Sequence, residues 1–396
     1  MGNKKRWILI PAGILIYICL GTVYSWSIFR KPLENILNIG AVQSGLPYMT
    51  FLALFSLLMA ISGRFIDKYS PKTVIAIGGV LVGIGWILSG FIRNINFITI
   101  TYGVLGGGGV GIVYGVPIAV ISRWFPDKKG LAMGLTISGF GLSPLITAPL
   151  ARQLIEIYGP FYTFRIFGLS FLIIILVLGL LFKFPSKDFS VGKKDKNISA
   201  IDLDTKAMLK SSKFYGLWSC YVIGTLIGLM IIGITSPVGE ELIKLEPKFT
   251  ARLVSLFAIF NALGRPLFGW LTDKISPLKS SVLSYILVIF ASAIMLIYPN
   301  SLYIYIIAFC LFWLTLGAWL AIAPAATIIF FGQRHYSKNY GIVFTAYGIG
   351  ALIGVSVSGA LRDLLGSYFY VFYLLLLLGL LGIFIAIFTL KEKKVY

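Results

Sequence analysis

Residues 63–72 read Gly-Arg-Phe-Ile-Asp-Lys-Tyr-Ser-Pro-Lys, and residues 269–278 read Gly-Trp-Leu-Thr-Asp-Lys-Ile-Ser-Pro-Leu. Gly, Asp, Lys, Ser and Pro match at a constant offset of 206 positions, so the second half of the chain repeats the first. Each copy closes a long apolar stretch. A looser echo pairs RWFPDKKGLAMGL at 123–135 with HYSKNYGIVFTAYGIG at 335–350, each a basic loop entering a Gly-rich apolar segment. Between the copies lies a polar, lysine-rich stretch, and it sets the expected units: 1–183, a linker at 184–213, and 214–396.

The rest of the composition fits that frame. Of 396 residues 58% are hydrophobic and 12% charged, with a mean hydropathy of +0.92, which excludes a soluble enzyme built on one large core. Runs long enough to cross a hydrocarbon layer of roughly 30 Å recur at 7–29, 42–66, 73–92, 97–121, 130–153, 161–183, 214–238, 250–272, 278–298, 301–330, 339–361 and 367–390. The expected fold is an all-α polytopic membrane protein of twelve helices, six in each half. Parallel repeats of this kind form two bundles that rock about a central site.

A formal charge of +20 could suggest a nucleic-acid partner, but its distribution follows the membrane instead. The stretches on the side of the termini hold 24 of the 34 Lys and Arg, and the opposite loops hold nine. Positive charge stays inside, which places both termini in the cytoplasm and makes the lipid bilayer, not nucleic acid, the large partner. Cys19, Cys220 and Cys310 fall in predicted spans without ligand-like spacing and read as small buried hydrophobes. No cofactor or metal is expected. The first apolar run follows a basic start but lacks a small-residue cleavage site, so it is read as a retained helix.

The loop pattern G-x-x-x-D-(K/R)-x-(G/S)-(P/R)-K, carried by Gly63, Asp67 and Lys68 and again by Gly269, Asp273 and Lys274, resembles that of the major facilitator superfamily. The resemblance covers the whole chain. It implies that Asp67 and Asp273 cap a neighbouring helix and that the basic residues pair across the seam between bundles, with these six positions serving conformational change. Three segments resemble the oxalate/formate antiporter family and the related monocarboxylate transporters: Gly21 to Ser27, Arg123 to Ala132, and Asn261-x-x-x-Arg265-Pro266. They imply carriage of small carboxylates, with Arg265 as the anion ligand. The chain departs from those relatives twice. Thr345-Ala346-Tyr347-Gly348 lacks the lysine that the oxalate exchangers carry in span eleven, and Asn261 stands where proton-coupled carriers have Asp.

Arg265 also stands out on physical grounds. It lies inside LVSLFAIFNALGRPLFGWLTD, where a guanidinium stays charged and costs roughly 2.5–3.5 kcal/mol to insert. Eight residues separate it from Asp273, which puts it about 12 Å above the loop, near the membrane midplane. All fourteen carboxylates fall in loops or at span ends. A visiting carboxylate, matching the planar fork, is then the expected counter-ion, against the alternative of an arginine held by carbonyls or tyrosines. Asn261 is one turn away and can share the ligand. Tyr24, Trp26, Tyr114, Trp313, Trp319 and Tyr347 lie deep enough to line the same cavity. The glycines at 106–109 and in span five read as helix packing, since no P-loop lysine accompanies them.

The expected function is secondary transport of small monocarboxylates of the lactate, pyruvate and formate class by alternating access. The small anion, with a proton as the co-substrate to weigh, is the partner, and a monomer in a prokaryotic plasma membrane is the expected unit. An oxalate/formate-type exchanger, a carrier of other small solutes and a non-transporting sensor are the alternatives. An enzyme is not expected: the spans hold neither HExxH nor CxxC, and His335, the sole histidine, lies in a predicted loop.

Overall fold

Apolar helices account for most of the described residues. The computed structural model describes residues 5–62, 69–125, 129–185 and 202–391. Among these residues eleven apolar helical stretches are long enough to cross a membrane. One of them breaks at Gly159, whose φ of 79° and ψ of 168° are open to glycine without strain, and Pro160 then starts the next helix where its missing N–H costs nothing. Twelve helices result: α1 (Arg6–Leu37), α2 (Ala41–Ser62), α3 (Pro71–Ser89), α4 (Ile95–Trp124), α5 (129–158), α6 (160–179), α7 (Ser212–Glu241), α8 (Pro247–Ile275), α9 (Pro277–Ile297), α10 (Leu302–Phe331), α11 (Lys338–Leu365) and α12 (Tyr368–Thr389). The first six form one bundle and the last six the other. An even number of crossings leaves both ends of the chain on one face, called here the terminal face; the opposite one is the distal face.

The glycine run of α4 serves close packing. A Cβ on Gly107 would lie 2.3 Å from the Phe51 carbonyl oxygen, and one on Gly109 would lie 2.5 Å from that of Gly78. Bare backbone thus lets α4 approach α2 and α3 together. The three cysteines are buried and free.

Three helix pairs meet along the seam between bundles. In α1 and α7, Ser236 Oγ donates to Ser27 Oγ at 3.3 Å. Ser56 Oγ of α2 donates to the Phe344 carbonyl of α11 at 2.8 Å. Between α5 and α8, Ser255 Oγ donates to the Pro144 carbonyl at 3.3 Å. At the distal face the seam is tied by charge. Lys31 pairs with Glu241 of α7, and Lys248 of α8 reaches Glu156 of α5 at 3.1 Å; Lys31 with Glu34 at 3.3 Å and Arg362 with Glu241 at 3.3 Å are pairs within one bundle that hold those partners in place. Asp363 of α11 accepts the Ala41 and Val42 N–H groups, both at 2.9 Å, at the start of α2, where a carboxylate also meets the positive end of the helix dipole.

Several details differ from the sequence expectation. The first helix runs to Leu37 rather than ending near 29, which buries Arg30 completely and Glu34 nearly so. Arg30 is tolerated because its donors are used: Nε to Ser44 Oγ at 3.0 Å, Nη1 to the Gly233 carbonyl of α7 at 3.1 Å, and Nη2 to the Ala41 carbonyl at 2.6 Å. Asp273 does not cap the following helix. It stays exposed on the last turn of α8, and Ser276 Oγ takes the Lys279 N–H instead. Lys274 lies over the Trp270 ring at 4.7 Å, within its own helix, and Gly269 faces Ala321 of α10. Gly63, Asp67 and Lys68, together with Pro126, Asp127 and Lys128, lie outside the described residues. Finally, the end of the linker is seated on the second bundle: Leu203 N–H donates to the Phe331 carbonyl at 2.9 Å, and Asn339 Nδ2 donates to the Leu203 carbonyl at 3.0 Å.

Candidate functional site

α8 positions the charge. Its polar residues are spaced at one turn, so Asn261 and Arg265 share the face turned toward α5 of the other bundle. Arg265 Nη1 donates to the Ile137 carbonyl of α5 at 3.1 Å. Nε and Nη2 are buried and have no hydrogen-bond partner. Among the described residues no carboxylate comes within ion-pair distance of this guanidinium; every such pair involves Arg30, Lys31, Arg152, Lys248 or Arg362. Leaving charged donors desolvated and unused costs free energy, and a ligand that accepts from both would recover it.

Tyrosines surround the guanidinium. The Tyr114 hydroxyl approaches it from α4, and Tyr17, Tyr24 and Tyr221 stand within electrostatic range. Tyr24 and Tyr347 join hydroxyls across the seam at 2.9 Å. Phenylalanines set these rings in place. Phe140 meets Tyr24 at 5.1 Å and Tyr114 at 5.4 Å between centroids, both edge-on. Phe55 meets Tyr114 at 5.0 Å and Tyr347 at 5.6 Å, and Phe344 stacks on Tyr347 at 5.0 Å. Offset and edge-on contacts of this kind hold rings at fixed angles, so the hydroxyls are preorganised.

The structure therefore brings Arg265, Asn261, Tyr24, Tyr114 and Tyr347 together and sets two expected residues apart. Trp26 lies in the core of the first bundle, against Tyr102 at 4.5 Å and Phe29 at 5.9 Å, with its indole N–H given to the Ser44 carbonyl at 3.0 Å. Trp319 stacks between Tyr221 at 6.1 Å and Tyr285 at 5.4 Å, and its ring occupies the space that the absent Gly224 side chain leaves. Both are packing residues here. Trp313 likewise gives its indole N–H to Thr235 Oγ1 at 3.1 Å.

Tyr17, Phe55, Phe140, Gly141, Tyr221 and Phe344 were not legible from composition, being ordinary among 30 Phe, 21 Tyr and 43 Gly. One signal was available: Tyr336, Tyr340, Phe344 and Tyr347 fall at spacings of four, four and three, a single helical stripe. Tyr336 and Tyr340 do stack at 5.5 Å, and Tyr340 meets Phe344 at 5.8 Å.

Comparison with known proteins agrees with this fold. The sequence profile of the Major Facilitator Superfamily matches residues 12–330 and again 243–395. The chain is 29% identical to the oxalate:formate antiporter of Oxalobacter formigenes, over 92% of this chain and 87% of the relative. It is 25% identical to human monocarboxylate transporter 12, over 93% and 77%. In fold it resembles an inward-facing bacterial homolog of the human lysosomal transporter Spinster, with a TM-score of 0.78 at 16% identity and full coverage of both chains. With twelve membrane-spanning helices in two bundles and a match over nearly its whole length, the chain belongs to the Major Facilitator Superfamily of transporters.

Proposed function

We propose that the protein carries small monocarboxylates of the lactate, pyruvate and formate class by alternating access, with Arg265 taking the carboxylate. The observation that carries this is the pair of buried, unused donors on Arg265, at the seam where two bundles must separate. A carboxylate presents two acceptors in one plane, the complement of that fork. Tyr24, Tyr114 and Tyr347 close around it, and the bundles that rock are 1–183 and 214–396. The setting is a prokaryotic plasma membrane, with the terminal face cytoplasmic.

The antiporter relative makes oxalate the competing substrate. A dianion wants two cations, and Arg30, the guanidinium buried at the distal part of the seam, spends its donors on protein oxygens. Monovalent acids are therefore favoured. The test is uptake into liposomes by purified protein across formate, acetate, lactate, pyruvate and oxalate. Monocarboxylates should enter, and Arg265→Gln should reduce entry roughly 100-fold or more, the size expected for losing one partner of a buried charge pair. Unchanged uptake by the glutamine variant would remove Arg265 from the site.

A further inference from the structure

Asn261 is completely buried, and its amide is only half used. Nδ2 donates to the Trp313 carbonyl at 3.1 Å. Flipping the amide would set oxygen against oxygen, so this orientation is fixed by chemistry. Oδ1 is then left without a partner, one turn from the two unused donors of Arg265. Gly141 of α5 stands opposite both: a Cβ there would lie 2.9 Å from Asn261 Oδ1 and 3.4 Å from Arg265 Nη2. Thus α8 offers the seam one spare acceptor beside two spare donors, and α5 withholds the side chain that would cover them.

An ionised carboxylate alone fills only the donors, since both of its oxygens are acceptors. Filling all three positions takes a ligand that also carries a donor close to the carboxylate. A hydroxyl on the neighbouring carbon meets that need, whereas a keto oxygen there would face Asn261 Oδ1 acceptor to acceptor. We propose that Asn261 makes this carrier selective for 2-hydroxy monocarboxylates over their 2-oxo counterparts, with the hydroxyl donating to Asn261 Oδ1 while the carboxylate occupies Arg265 Nε and Nη2. The proposal rests on Arg265 holding the carboxylate.

The test is competition against labelled acetate uptake in proteoliposomes at fixed pH, using lactate against pyruvate and 2-hydroxybutyrate against 2-oxobutyrate, the oxo acids being ketones that stay largely unhydrated in water. The hydroxy acid should compete at about tenfold lower concentration than its oxo partner, equivalent to about 1.4 kcal/mol. Asn261→Leu should bring that ratio to about one. The ratio in the unsubstituted protein decides the matter even if the variant fails to fold. Equal competition by hydroxy and oxo acids, with Arg265→Gln still inactive, would overturn the selectivity while leaving the carboxylate site intact. A ratio of one together with affinity that rises for every acid as pH falls would identify the carboxyl proton as the donor and overturn it as well. No competition by any of the four acids would overturn both proposals.

Discussion

The distal end of the seam and its middle use charge in opposite ways. At the distal end Lys31, Arg362 and Lys248 each meet a carboxylate, Glu241, Glu34 or Glu156, and Asp363 receives two backbone N–H groups across the seam. In the middle Arg265 meets one carbonyl and the Tyr114 hydroxyl but no carboxylate, and hydroxyls and aromatic rings make the closure. A charge neutralised from within acts as a fastener, and a charge left open acts as a receptor. The outermost fastener is also weak. Lys248 is 69% exposed in its pair with Glu156, and a surface pair contributes about 0–1 kcal/mol, so it opens at modest cost.

Among changes that leave Arg265 in place, converting the middle into a copy of the distal end should have the largest effect. Asn261→Asp puts a carboxylate one turn from Arg265, in position to pair with it as the distal ions do. Anion uptake at neutral pH should fall by roughly tenfold or more. Because protonation removes the new charge and frees the guanidinium, uptake by this variant should recover as pH is lowered; initial rates across a pH series would check the sign, and a flat profile would break the analogy.

Loosening the distal end should do less. Glu241→Gln removes the shared acceptor of Lys31 and Arg362. Its pair with Lys31 crosses the seam, and at about 1 kcal/mol, the upper end for surface pairs, its loss should raise the population open on the distal face roughly fivefold. The thiol of a Val355→Cys substitution, on the α11 face packed against Gly45, should then be labelled faster, and the difference should shrink in high salt. A change of similar size is expected from Tyr24→Phe, which deletes one hydroxyl of the 2.9 Å pair with Tyr347. A neutral hydrogen bond of about 0.5–1.5 kcal/mol predicts a two- to tenfold loss of apparent affinity, measured as KM, with the fold unchanged.

How much could be read beforehand depended on whether a feature was local. Span number and the place of Arg265 followed from the sequence because insertion energy accumulates along one continuous segment. The end of α1 did not. Counting apolar residues stops at Arg30, while the helix continues because Ser44, Gly233 and Ala41 supply that residue's partners from elsewhere. The start of α9 was hidden for a similar reason: Ser276, three residues beyond the repeated Asp273, makes its cap.

By itself the sequence determined a twelve-helix membrane carrier in two repeated halves, with one cation inside its eighth span, since hydropathy and charge are properties of residue type and position. Only the tertiary structure decided which aromatic residues face that cation. Trp26 and Tyr24 stand two residues apart in one helix, yet one lies in a bundle core and the other at the seam. A helix turns about 100° per residue, so near neighbours point different ways, and the packing partners supplied by distant segments settle what each one meets.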